Sequence, residues 1–151
     1  MVVLFDGATL AREASGLIIG EMSVNIEGVF FPAPGWSDFA IAVLAGWADA
    51  IVDLLNGSVR RAELRFMDGP FAVIVERKDH SMWRVELTEF KQREKESRAF
   101  AARPEQLAGS ILEAAARASG ECRRRRWESR DTESLARAVN RLRNELARMT
   151  N

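Results

Sequence analysis

The sequence predicts an α+β protein in which an antiparallel sheet of about five strands is covered on one face by helices, in the order β-β-α-β-β-β-α-α. Three observations lead there. Apolar residues recur at every second position in several short runs, most cleanly at Met22, Val24 and Ile26 between Glu21, Ser23, Asn25 and Glu27. That is the period of a strand with one dry and one wet face. Residues 37–55 and the last third of the chain instead carry apolar residues at helical spacing. Finally, 151 residues of 47% hydrophobic content suit a single domain, residues 1–151. A chain of that size buries roughly 68–70% of its unfolded surface without help from metals or disulfides.

The elements follow in order. Val2–Leu10 is the expected hairpin partner of a strand within Leu17–Val29. Pro32 and Pro34-Gly35 end the pair, since proline lacks the N–H a ladder needs and both residues favour turns. A helix is expected from Ser37 to Leu55. Ser37 is placed to cap its first amides, Asp38 to meet the positive end of its dipole, and Asn56-Gly57 to end it. The run Phe39, Ile41, Val43, Leu44, Trp47, Ile51, Val52, Leu54, Leu55 leaves little polar surface, so this helix should be the most buried. In the next hairpin, Ala62, Leu64 and Phe66 alternate with Arg61, Glu63 and Arg65, Asp68-Gly69 turns, and Phe71–Val75 returns. A turn at Lys78–Ser81 leads to Trp83, Val85 and Leu87. The charged run Lys91–Arg98 either extends that strand as an edge protected against aggregation or is a solvated connector. Pro104 opens a helix with the stripe Leu107, Ile111, Leu112, Ala115 and Ala118, up to Gly120. The final helix spaces Leu135, Val139, Leu142, Leu146 and Met149 by four, three, four and three. A seam of only about two heptads is short for a coiled coil. It serves either the chain's own core or a homodimer through Leu135, Val139, Leu142 and Leu146.

Composition narrows the chemistry. Cys122 is the lone cysteine and has no internal partner, which fits a reducing compartment such as the cytoplasm. Met1–Asp6 has no basic segment leading into a long apolar run, so a secretory leader is not expected. No stretch approaches the roughly 20 apolar residues of a membrane span. The net charge is zero but uneven: residues 1–57 hold one base against seven acids (−6), residues 58–100 ten against eight (+2), and residues 101–151 eleven against seven (+4). Such asymmetry reflects either a charged partner or attraction between parts of the same chain.

A catalytic triad would need His80, the only histidine, which lies in a turn beside Asp79 and Ser81. Neither the ligand clusters of a zinc site nor a phosphate-binding glycine loop occurs, so no catalytic residue, metal or cofactor is expected. A site built from carboxylates alone is the enzymatic alternative. Arg123-Arg124-Arg125-Arg126-Trp127 has the makings of a phosphate-and-base contact, but a sequence pI of about 6.6 argues against nucleic acid as the partner. The run can equally be a solvated link between helices. Asp38, Asp49 and Asp53 fall within roughly 60° of one another on an ideal helix, with Ala42 and Ala45 on the same stripe. That strip receives cations from a partner, is simply solvated, or pairs locally with Arg60 or Arg61. Glu21 and Glu27 supply further acidic candidates, and Trp36, after Pro34-Gly35, is either a core residue, like Trp47 and Phe39, or a partly exposed aromatic anchor.

Around Pro34-Gly35-Trp36-Ser37-Asp38-Phe39 and Leu64-Arg65-Phe66-Met67-Asp68-Gly69-Pro70, the chain resembles small bacterial immunity proteins of contact-dependent and polymorphic toxin systems. The likeness covers roughly residues 30–75, together with overall size and layout. It implies a cytoplasmic, non-enzymatic protein that binds and blocks a cognate toxin domain, often a nuclease. An acidic portion suits a basic nuclease and speeds association by steering. The rival expectation is a dimeric secretion-type chaperone or adaptor using the Leu135–Met149 seam.

Overall fold

The alternating first third of the chain folds into one antiparallel sheet. In the computed structural model, which describes residues 1–150, β1 (Val2–Arg12) and β2 (Ile18–Ile26) form the expected hairpin. Val3 faces Val24 and Phe5 faces Met22 on the core side, and the register shifts between Asp6 and Ala11. Two short strands, β3 (Val29–Phe31) and β4 (Ser37–Asp38), also pair with β2. The protein is α+β, but among the described residues eight strands form two sheets rather than about five in one. Strands of three and two residues are too short to display a period, which is why the sequence concealed β3 and β4.

The second sheet runs β5 (Arg61–Arg65), β6 (Phe71–Arg77), β7 (Trp83–Phe90) and β8 (Lys95–Ala102), each antiparallel to the next. The Asp68-Gly69 turn is where it was expected, with Gly69 at φ +88°, a conformation that costs other residues strain. The charged run 91–98 divides: the Lys91 amide donates to the Glu94 carbonyl and closes a turn, and Lys95 begins β8. The stretch therefore supplies a separate edge strand, not an extension of β7.

Three helices complete the core. α1 (Ala40–Leu55) is buried along most of its surface, Leu44 and Ile51 entirely, and ends at Asn56 with Gly57 in the left-handed region. It begins later than expected. Ser37 and Asp38 are still extended, paired with Glu21 and Gly20, so Ser37 does not cap the helix; Phe39 occupies that position without a side-chain cap. α2 (Pro104–Arg124) passes through Gly120, whose surroundings are open, and takes in Arg123 and Arg124. α3 (Arg130–Met149) starts at a capping box in which Ser129 and Thr132 satisfy each other's amides. α1 touches α2 and α3 as well as β2 and β5. Leu135, Val139 and Leu142 are buried in this core, and Leu146 packs against it. The seam that a homodimer through these four residues would require is already used inside the chain.

Aromatic edges join the two sheets. Phe31 meets Phe66 at 5.9 Å and Phe71 at 5.6 Å between ring centroids, and Trp47 of α1 meets Phe66 at 5.0 Å. α2 protects the open edge of β1. Val3 N–H donates to Ser110 Oγ (2.7 Å), Arg117 donates to the Phe5 carbonyl (3.2 Å), and Arg125 donates to the Gly7 and Leu10 carbonyls (3.0 and 2.7 Å). Gln106 bonds both the amine and the carbonyl of Met1 at 2.9 Å. Backbone groups that would otherwise invite another strand are thus satisfied by α2 and its C-terminal cap residue, Arg125.

Candidate partner-binding face

The aspartate strip assembles only in part: Asp49 and Asp53 lie one turn apart on α1, and Asp38 is not among them. Asp38 lies before α1, is 2% exposed, and serves the fold. Its carboxylate accepts from Trp36 Nε1 (3.0 Å), Phe39 N (2.7 Å), Met67 N (3.2 Å) and Asp68 N (3.2 Å). Asp49 does lie on α1, but its partner is Arg141 of α3, not Arg60 or Arg61. Asp53 is half-buried on the same helix. Trp36 is half-buried, edge-on to Phe71 at 5.2 Å, with its N–H on Asp38, so it is a structural aromatic and not a free anchor. Both halves of the Asp49–Arg141 pair are about half exposed. Asp49→Ala should therefore cost less than about 1 kcal/mol in denaturant unfolding, and a loss above about 2 kcal/mol would mean that the pair holds α1 to α3.

Glu21 and Glu27 part company. Glu27 sits in the β2–β3 turn at φ +49°, exposed. Glu21 lies on the outer face of the first sheet, opposite Asp6 of β1 and Ser37 of β4. This outer face is a candidate interface. It forms, with α2, a groove of about 400 Å³ lined by Val2, Leu4, Asp6, Glu21, Ser23, Phe30, Glu113 and Arg117, among others. Cross-strand pairing sets the order: Val2 and Phe30 both oppose Asn25, Leu4 opposes Ser23, and Asp6 opposes Glu21. One end is therefore apolar and the other acidic. Val2, Leu4 and Phe30 are 46%, 38% and 48% exposed, unusual for apolar side chains that share one groove. Directly opposed like charges such as Asp6 and Glu21 cost stability, and a cation between them would relieve that cost. Among the described residues, neither Asp6, Glu21 nor Glu113 takes part in an ion pair within the chain.

The arginine run is divided in its duties. Arg124 and Arg125 bond Glu121, and Arg124's hydrogen bond is the main cause holding the Glu121 carboxyl below its usual range. Arg125 reaches β1 and stacks over Trp127 at 4.9 Å. Cys122 is buried, which pushes its thiol up. His80 is exposed in its turn, where Ser81 and Met82 donate to Asp79 and hold that carboxyl low. Among the described residues, no three His, Cys, Asp or Glu side chains group closely enough to hold a metal ion. No described helix is long and apolar enough to cross a membrane.

The class defined by this geometry is an α+β protein of two antiparallel sheets with an acidic, partly apolar groove on one of them. Compared with known proteins, the chain matches no family model, no curated protein and no solved structure. Of the candidates expected from sequence, only Glu21 lies in the groove. Val2, Leu4, Asp6 and Phe30 were missed, although the opening Val2-Val3-Leu4-Phe5 held a signal: a strand apolar at consecutive positions presents apolar residues on both faces.

Proposed function

We propose that this chain is a non-catalytic cytoplasmic binding protein, an immunity protein that neutralises a cognate bacterial toxin domain, probed most directly with a nuclease. The observation that carries the reading is the outer face of the first sheet, where three exposed apolar side chains adjoin Asp6, Glu21 and Glu113. Apolar anchors at the centre of an interface supply most of its energy, and carboxylates beside them select a basic surface and accelerate encounter. The likeness to immunity proteins at residues 34–39 and 64–70 supports the same reading. The chaperone alternative loses its motivating seam to the core, and the buried carboxylate on which a carboxylate enzyme would draw, Asp38, is already held by four donors of the fold.

The test is titration against the protein product of the gene directly upstream. Phe30→Ala should weaken binding by about 2 kcal/mol, roughly thirtyfold, as expected for an aromatic anchor. Glu21→Gln should mainly slow association and flatten its salt dependence. The Asp49→Ala/Asp53→Ala variant should bind as wild type does. Unchanged binding by Phe30→Ala and Glu21→Gln would remove the groove from the interface. Failure of the wild type to bind or protect against that product would count against immunity itself.

A further inference from the structure

The eight residues of β8 form an edge that the chain treats differently from its others. The β1 edge is covered by side chains of α2, and Trp47 Nε1 donates to the Arg65 carbonyl on β5 (2.8 Å). β3 and β4 are only three and two residues long. Among the described residues, no side chain bonds to the backbone of β8, and residues 95–99 and 101 are exposed. The turn fixes which groups are free. Lys91 and Glu94 are a hydrogen-bonded pair, so the even residues of β8 bond β7. The odd ones, Lys95, Ser97, Ala99 and Ala101, direct their N–H and C=O groups outward.

We propose that β8 pairs with β8 of a second copy, antiparallel about a two-fold axis at Ser97, so that two four-stranded sheets become one of eight. Charge on an edge strand ordinarily repels other strands. Here the charges complement themselves in one register. An isologous pairing must set outward-facing residues against outward-facing residues, which confines the axis to a residue position. With the axis at Ser97, Glu96 of each copy stands opposite Arg98 of the other, twice, as non-hydrogen-bonded pairs with their side chains close. With the axis at Arg98, that arginine opposes itself. With the axis at Ala99, Arg98 opposes Phe100 and Glu96 has no cation across from it. Glu96 has capacity for this contact: one oxygen meets Lys91 at 2.6 Å, and the side chain is 67% exposed.

The test is the mass in solution, by light scattering and sedimentation across concentration, with circular dichroism reporting the fold of each variant. Wild type should dimerise. Glu96→Arg and Arg98→Glu should each weaken the dimer about tenfold or more, since each replaces two attractive cross-strand pairs with two repulsive ones. The double variant Glu96→Arg/Arg98→Glu should recover the wild-type dimer. Ala99→Pro, which removes an outward N–H while leaving the β7 ladder intact, should be monomeric. A wild type that stays monomeric at every concentration overturns the proposal. So does a dimer indifferent to both charge reversals, or a double variant as weak as the singles.

Discussion

Trp47→Ala should cost about 3–5 kcal/mol in denaturant unfolding, the range for a large buried aromatic. Trp47 is 2% exposed on the most buried helix, touches Phe66 edge-on, and donates its indole N–H to Arg65 O at 2.8 Å. The substitution therefore opens a cavity between α1 and the second sheet and leaves a carbonyl at the β5 edge without its partner. Against a total stability of about 5–15 kcal/mol, typical of single domains, such a loss brings the protein close to unfolding at ordinary temperature. Trp47→Phe separates the two contributions. It retains most of the volume but not the donor, and should cost about 1–2 kcal/mol. A loss below about 1 kcal/mol for the alanine variant would place the indole outside the core.

Asp38→Ala is the second large effect expected, about 3 kcal/mol, because one carboxylate organises four donors from two separated segments. Phe39 N and Trp36 Nε1 belong to the approach to α1, whereas Met67 N and Asp68 N belong to the turn of the β5–β6 hairpin. Removing the acceptor frees that turn and strands the indole N–H. Asp38→Asn is the informative companion. It conserves shape but sets an NH₂ group among donors, so it should cost nearly as much as alanine. If asparagine is tolerated with a loss under about 1 kcal/mol, the site needs only shape and a single acceptor.

The long elements were legible in the sequence because their periods are long enough to repeat. β2, the body and end of α1, the β5–β6 turn, β7 and the start of α2 all stand where alternation, proline and glycine placed them. The failures have local causes. Asp38 reads as a helix N-terminal acid from its position before an apolar run, but its pairing with Gly20 holds it extended and points its carboxylate inward. Gly120 reads as a helix stop, yet the helix continues past it, since a single glycine costs only about 1 kcal/mol. The seam of α3 looks the same in sequence whether it meets another chain or α1. The candidate site was the least legible part. Val2, Leu4 and Phe30 line one groove only once β1, β2 and β3 are in register, and nothing local encodes that register.

Footprinting of carboxylates tests the functional account most directly. The chain alone, and the chain saturated with the product of the upstream gene, would be labelled briefly with a carbodiimide and a small amine. Modification would then be read at each Asp and Glu by mass spectrometry. Asp6, Glu21 and Glu113 should become protected in the complex, while Asp49 and Glu105 on other surfaces label as before. Equal labelling of Asp6, Glu21 and Glu113 in the free and bound protein, with protection appearing elsewhere or nowhere, would contradict the assignment of the outer face of the first sheet as the binding surface.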